Sequence, residues 1–286
     1  MRIIGSGAAE AITNPLCSCG ICENARKARG RDIRSRTCFR VDGATQIDFG
    51  PDQFYQATVL GNDLRTVRQV LVTHSHEDHL AFTEFNLKQM ASVTNPDPID
   101  VYLSRPAHAW LLNAAAPFDC AVTDETYVRL HPVDYGVAFQ AGNLTVLPLK
   151  GNHFAHGTGE NSINYHITFA DGSTLYYAVD TGYFLEDTLD RLKMLRVDTL
   201  VVEGTFGDAP GYETPHTDGH MGAQGVLAVT RRLYEQGTLH DASRVYVTHV
   251  NHKHSLTYPR MVDWFAARPA PVPITVGYDG MEIPGK

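Results

Sequence analysis

The chain has 286 residues, 43% of them hydrophobic and 20% charged, enough apolar material for a globular core and too much for a disordered or fibrous chain. Its formal net charge of −8 argues against a long nucleic-acid footprint, which needs basic surface. No stretch reaches the roughly 20 apolar residues of a membrane span, and the opening "MRIIGSGAAEAITNPLC" lacks the apolar run of a signal peptide. A cytoplasmic protein with no membrane partner is expected.

Read in chain order, "RIIG" is a first strand that runs into a glycine turn. "CSCGIC" follows, with Cys17, Cys19 and Cys22 inside six positions. Without an export signal, such clustering points to metal before disulfide. The next segment, "ARKARGRDIRSRTCFR", carries Arg26, Lys27, Arg29, Arg31, Arg34, Arg36 and Arg40 against one Asp32. It reads either as a solvated basic face or as a grip for an anionic substrate or partner. Cys38 and Cys120 stand alone and read as small buried hydrophobes.

Short runs rich in β-branched residues then recur: "ATQIDFG", "QVLVTH", "IDVYLS", "NLTVLPL", "SINYHITFA", "TLYYAVD", "DTLVVEG", "RVYVTHV" and "PITVGYDG". Each reads as a strand. Between them, 81–90, 106–115, 185–195, 222–236 and 259–267 suit helices. In the fourth of these, Val226, Leu227, Val229 and Leu233 form one apolar stripe. Strand pairs dominate the first half and strand–helix alternation the second. The fold class this favours is an α/β sandwich with sheets inside and helices outside.

The chemistry concentrates in "HSHEDH", residues 74–79, directly after an apolar strand. Neutral imidazole suits zinc, and carboxylate suits harder metals as well. If the strand ends at Thr73, His74 and His76 share one metal while Asp78 and His79 reach a second. The competing reading is a solvated histidine-rich turn. A dinuclear centre needs further ligands at other strand ends, and they occur: His153 follows "LTVLPLKGN", Asp180 ends "TLYYAV", and His249 ends "RVYVT".

HxHxDH, a distant His, a strand-end Asp and a late His together resemble the metallo-β-lactamase superfamily over essentially the whole chain. The resemblance implies an αβ/βα four-layer sandwich, a single domain spanning 1–286, with a dinuclear site at one edge. His74, His76 and His153 would hold one divalent ion, Asp78, His79 and His249 the other, with Asp180 bridging. Asp48, in "QIDFG", matches the superfamily's strand-end Asp that supports the ligand loop; its alternative is an ordinary turn Asp.

Three features resemble one branch, the PhnP-like phosphodiesterases: the opening "GSGAAEAITNPLCSCGICENARK", the His three residues after His249 in "THVNHKHS", and the tail "VGYDGMEI". About 95–135 resembles that branch poorly. Three thiolates fill three corners of a tetrahedron, and by the resemblance His252 supplies the fourth to a structural zinc in a loop at about 15–40, with Cys38 as the rival ligand. His220, just before a helix, matches a catalytic His of this branch. Its role would be general acid or donor to a phosphoryl oxygen, against the alternative of a helix-start residue facing water.

The implied activity is metal-dependent hydrolysis of a small anionic, ribosyl cyclic phosphate ester by a hydroxide bridging two Zn or Mn ions, with Asp78 orienting or relaying a proton. Alternatives are another ester on the same site (a lactone, a thioester or an RNA 3′ end), a PqqB-like carrier, and a zinc knuckle for nucleic acid. A homodimer is admitted. His156, His216 and His254 stay unassigned; His108, His131, His166 and His240 read as structural or surface residues.

Overall fold

The structure is a computed structural model that describes residues 1–214, 217–253 and 255–285. The first half supplies strands β1 (Arg2–Gly5), β2 (Cys38–Arg40), β3 (Thr45–Ile47), β4 (Gln69–Leu71), β5 (Ile99–Ser104) and β6 (Val128–Val133). The second half supplies β7 (Phe139–Ala141), β8 (Leu144–Ala155), β9 (Glu160–Thr168), β10 (Thr174–Ala178), β11 (Thr199–Glu203), β12 (Arg244–Thr248) and β13 (Ile274–Val276). A last strand, β14 (Met281–Glu282), returns to the edge of the first sheet. The sheet orders are β14-β1-β2-β3-β4-β5-β6 and β13-β12-β11-β10-β9-β8-β7.

Within each sheet one side is antiparallel and the other parallel. Strands β3 to β6 run parallel, as do β10 to β13. Parallel strands buried on both faces need apolar side chains on both, and "TLYYA" and "TLVVE" supply them. Leu175, Tyr177 and Val201, with Tyr165 of the neighbouring β9, face the other sheet, against Phe39, Ile47 and Leu71. The alternate residues Tyr176, Ala178, Leu200 and Val202 face outward, as the strand period of two requires.

Those outward residues lie under α1 (Gly20–Ala28), α5 (Glu186–Leu192), α6 (Ala223–Glu235) and α7 (Tyr258–Ala266). The first sheet's outer face is covered mainly by α4 (Arg105–Ala115), with the short helices α2 (Gln53–Thr58) and α3 (Asn86–Met90) on the same half. Ser104 caps α4 by accepting from Ala107 N at 3.0 Å. The architecture is the expected αβ/βα sandwich of four layers. Among the described residues no helix is long and apolar enough to cross a membrane.

Four of the five expected helices form within a few residues of their expected bounds. The fifth, 81–90, is instead a tight 3₁₀ turn at Phe82–Phe85 followed by α3. Its start is held away from a regular helix because Ala81 N donates to Phe49 O, tying it to the end of β3. Much of the basic segment pairs within the chain, while Lys27, Arg29 and Arg31 stay exposed. Arg34 is buried and donates to Ser6 Oγ and Gly277 O, Arg36 pairs with Asp52 at 2.9 Å, Arg26 pairs with Glu23, and Arg40 donates to Gly43 O and Thr66 Oγ1. Arg31 lies over the Tyr278 ring at 4.2 Å.

The inter-sheet layer should dominate stability. Phe39→Ala, at a site 1% exposed, should cost about 3–5 kcal/mol in denaturant unfolding. Met194→Ala, at a site 83% exposed, should stay within about 0.5 kcal/mol of the parent. Equal effects would place the core elsewhere.

Candidate metal centre

The C-terminal ends of β3, β4, β10, β11 and β12 meet at one edge of the sandwich, where parallel α/β sheets present ligand sites. They deliver Asp48, the His74–His79 loop, Asp180, Glu203 and His249. Asp48, Asp180 and His249 all adopt the left-handed backbone region, with φ of 65°, 51° and 56°. Each such non-glycine residue costs of order 1–3 kcal/mol of strain, and here each turns a polar side chain back over the sheet edge.

His153 arrives differently. It lies inside β8 rather than beyond its end, in a bulge where the pairing steps from Lys150↔Ile163 to Phe154↔Asn161. Such extra residues re-aim a side chain. The bulge depends on Gly151, where a Cβ would come within 2.2 Å of Ser162 Oγ. Ser162 Oγ in turn donates to Asp180 O at 2.6 Å.

Asp180 belongs to three groups of ligand atoms, of which two match the expected pair of ion sites: His74, His76, His153 and Asp180, and Asp78, His79, Asp180 and His249; the third joins Asp180 and His249 to Glu203 and His220. Asp180 Oδ2 lies 3.3 Å from His74 Nε2 and 3.0 Å from His79 Nε2. Its Oδ1 lies 2.9 Å from His249 Nε2. One carboxyl thus faces both groups. His76 Nδ1 sits 2.9 Å from His74 Nε2 and 3.2 Å from His153 Nε2, and Asp78 Oδ2 sits 3.1 Å from His79 Nε2.

The outer ring nitrogens are already engaged. His79 Nδ1 lies 2.7 Å from Asp48 Oδ2, while Asp48 Oδ1 accepts from Thr73 N and Oγ1 at 2.8 and 2.9 Å. Thr73 Oγ1 is 3.1 Å from His74 Nδ1. His153 Nδ1 meets Gly219 O at 3.0 Å, and His249 Nδ1 meets Thr205 Oγ1 at 2.9 Å. Such outer partners fix the tautomer that turns a lone pair inward. Inside, His79 Nε2, Asp180 Oδ1 and His249 Nε2 are buried and none makes a well-aligned hydrogen bond, although oppositely charged neighbours lie 3.0 and 2.9 Å away. Buried polar atoms left this way are costly, and a cation would satisfy all of them.

The electrostatics agree. Burial pushes His153 down to about 3 and lowers His76 as well, helped in both by the neighbouring His74, so both rings are neutral. Against burial, His249, His79 and His220 hold the Asp180 carboxyl well below its usual range. Against burial, Asp180 and Asp78 push His249 up to about 10. Without a cation the carboxyls keep a proton on His249, so metal binding would release it.

His220 stands beside the two groups. Its Nδ1 is 3.0 Å from Glu203 Oε2 and 3.5 Å from Asp180 Oδ1. Against burial, Glu203 and Asp180 raise its pKa. It precedes α6 but is held over the site, only partly exposed, rather than facing water.

A further group joins Cys17, Cys19, Cys22 and His252, whose ligand atoms lie within 4.8 Å of one another. His252 Nδ1 is 3.5 Å from Cys19 Sγ, and its Nε2 is buried without a partner. Against burial, the Cys22 backbone N–H, His252 and Cys17 lower the Cys19 thiol to about 6. Cys38 is buried in β2, outside the group. The N-terminal loop pairs with the strand end between the two sites: Val250 N donates to Ser6 O, and Ala8 N donates to Val250 O.

A family model described as "Beta-lactamase superfamily domain" matches residues 46–250. The chain belongs to this superfamily. Comparison with curated proteins gives no match, so finer likeness rests on the fold. A diphosphatase from the PhnP family is 19% identical at a TM-score of 0.72, covering 99% of this chain and 96% of that one. Zn(2+)-bound PqqB from Methylobacterium extorquens is also 19% identical at 0.72, covering 98% and 99%. Human tRNase Z, short form, is 17% identical at 0.61, covering 98% of both chains. These superfamily folds span the chain.

Several supporting residues escape a reading of the sequence. Glu203 ends β11 as Asp180 follows β10, and that parallel was the available signal. It accepts from Thr181 N and Thr205 Oγ1 besides facing His220. Glu160, buried at the start of β9, accepts from Ser75 N at 3.0 Å, between the first two histidines of the ligand loop. Nothing local marks it. His131 and His240 pair with Asp100 and Asp198, and His166 with Arg196 O. His156 is exposed beside Phe154, while His216 and His254 lie outside the described residues.

Asp48→Asn keeps the shape but replaces the carboxyl facing His79 Nδ1. It should weaken metal affinity about 10–100-fold, read by competition with a chromogenic chelator. Unchanged affinity would make Asp48 a turn residue only.

Proposed function

We propose that the chain is a metal-dependent hydrolase of this superfamily that cleaves a small phosphodiester. The observation that carries the reading is the sharing of Asp180 between two ligand groups, with His220 poised at their edge. His74, His76 and His153 would hold one divalent ion, Zn or Mn, Asp78, His79 and His249 the other, and Asp180 both. Cations so held supply Lewis acidity toward an ester oxygen and make water acidic enough to act as a nucleophile near neutral pH.

The chain's own residues do the rest. Asp180 sets the spacing of the two groups, and Asp48 and Thr73 keep the ligand loop in register with it. Glu203 fixes the His220 ring through Nδ1 and turns Nε2 toward the substrate. With its pKa raised by Glu203 and Asp180 against burial, His220 can donate a proton to the departing oxygen or a hydrogen bond to a phosphoryl oxygen. Asp78, at the rim of the second group, is placed to orient that proton. A phosphodiester places its charge where divalent ions and a cationic imidazole can meet it, and the likeness to a PhnP-family diphosphatase supports the same class.

A nucleic-acid substrate has less support, because Arg26, Arg34, Arg36 and Arg40 of the basic segment pair within the chain and the net charge is −8. The Cys17, Cys19, Cys22 and His252 group would hold a structural zinc. It would join the N-terminal loop to the segment carrying His249.

The test uses bis-nitrophenyl phosphate and a ribosyl 1,2-cyclic phosphate against a lactone and a thioester. Phosphodiester turnover should lead the panel; a leading lactone or thioester would reassign the substrate. His220→Ala should lower turnover about 10²–10⁴-fold with metal content unchanged by elemental analysis. Asp180→Ala should lose turnover and metal together. Full turnover in the first variant, or full metal in the second, would contradict the roles given.

A further inference from the structure

A cavity lies on the outer face of the first sheet, lined by none of the ligand residues above. Its volume is about 570 Å³, within the range of small-molecule sites. Phe49, Val67, Phe85 and Ile99 form its buried floor, with Phe49 and Phe85 stacked at 4.3 Å. Leu64 and Leu87 add to its apolar wall, and Lys88 lines it beside Asn95.

Lys88 is the unusual member. Its side chain is almost wholly buried, with the residue 5% exposed, and lysine is rarely buried unless paired. Its ammonium donates to Asn95 O, and no carboxyl comes within ion-pair distance among the described residues. The two arginines of the same cavity differ. Arg65 pairs with Asp63 at 2.8 Å, and Arg68 approaches Asp97 at 3.6 Å. An ammonium has three donors, so two remain at the wall of an apolar cavity. Capping Asn95 O explains one donor, and Asp97, beyond ion-pair distance, offsets the charge only in part.

We infer that this cavity binds a small monocarboxylate with an apolar body, its carboxylate on Lys88 and its hydrocarbon part on Leu64 and Leu87, above the floor of Phe49 and Phe85. The apolar floor selects the body and the lone buried ammonium selects the charge. The site does not depend on the metal-centre reading. It does touch the same frame, since Phe49 N donates to His79 O and Ala81 N donates to Phe49 O.

Isothermal titration of the metal-loaded protein with octanoate, octanol and octylammonium tests the inference. Octanoate should bind at one saturable site, more tightly than octanol, and octylammonium should bind least. Lys88→Met keeps the packing volume and should weaken octanoate about tenfold or more, bringing it level with octanol. Ala91→Phe, from the exposed lip of the cavity, should weaken octanoate and octanol together. Circular dichroism of both variants confirms that they fold. No saturable octanoate binding, equal affinity for the three probes, or octanoate binding that survives both substitutions and so belongs to the metal centre would each overturn the assignment.

Discussion

A single buried carboxyl holds the functional edge of this protein together. Asp180 offers one oxygen to His74 and His79 and the other to His249, so the ligand groups cannot move apart without losing it. Its position is imposed rather than relaxed. The backbone turns through a left-handed conformation, Ser162 Oγ grips its carbonyl, and Ser162 is itself packed against Gly151 of the β8 bulge. Strain of this kind persists where surrounding structure over-determines it. Here two packed sheets supply that over-determination.

The arrangement also explains why the site is built from strand ends. Parallel strands place their last residues at one edge, and three of those ends carry the same left-handed turn, at Asp48, Asp180 and His249. Around the imidazoles runs a layer of hydroxyls, carbonyls and carboxyls that fixes ring orientation before any cation arrives. That preorganisation separates the group from a loose cluster of surface histidines. The inner atoms left without a well-aligned hydrogen bond, His79 Nε2, Asp180 Oδ1 and His249 Nε2, are its cost and its purpose.

Much of this was legible in the sequence because the ligand loop is local and its chemistry dense. HxHxDH needs no tertiary information to suggest metal, and Asp180 and His249 follow apolar runs that can only be buried strands. The supporting residues were not legible. Thr73, Thr205 and Ser162 look like any hydroxyl in a strand, and Glu160 acts across 85 positions of chain on Ser75. Among the strands, β2 is three residues within a basic run, and β6 contains Pro132. A proline argues against a strand except at a sheet edge, and the edge is where β6 lies. The basic segment left two readings open, a solvated face or a grip for an anion, and the fold divides it: Arg26, Arg34, Arg36 and Arg40 pair within the chain, while Lys27, Arg29 and Arg31 stay exposed.

The most direct measurement is anomalous X-ray diffraction from crystals grown with zinc. Two strong peaks about 3.5–4 Å apart, both beside the Asp180 carboxyl, are expected, with a third among Cys17, Cys19, Cys22 and His252. A single peak at the strand edge, or an Asp180 carboxyl bonded only to protein atoms, would contradict the account at its centre.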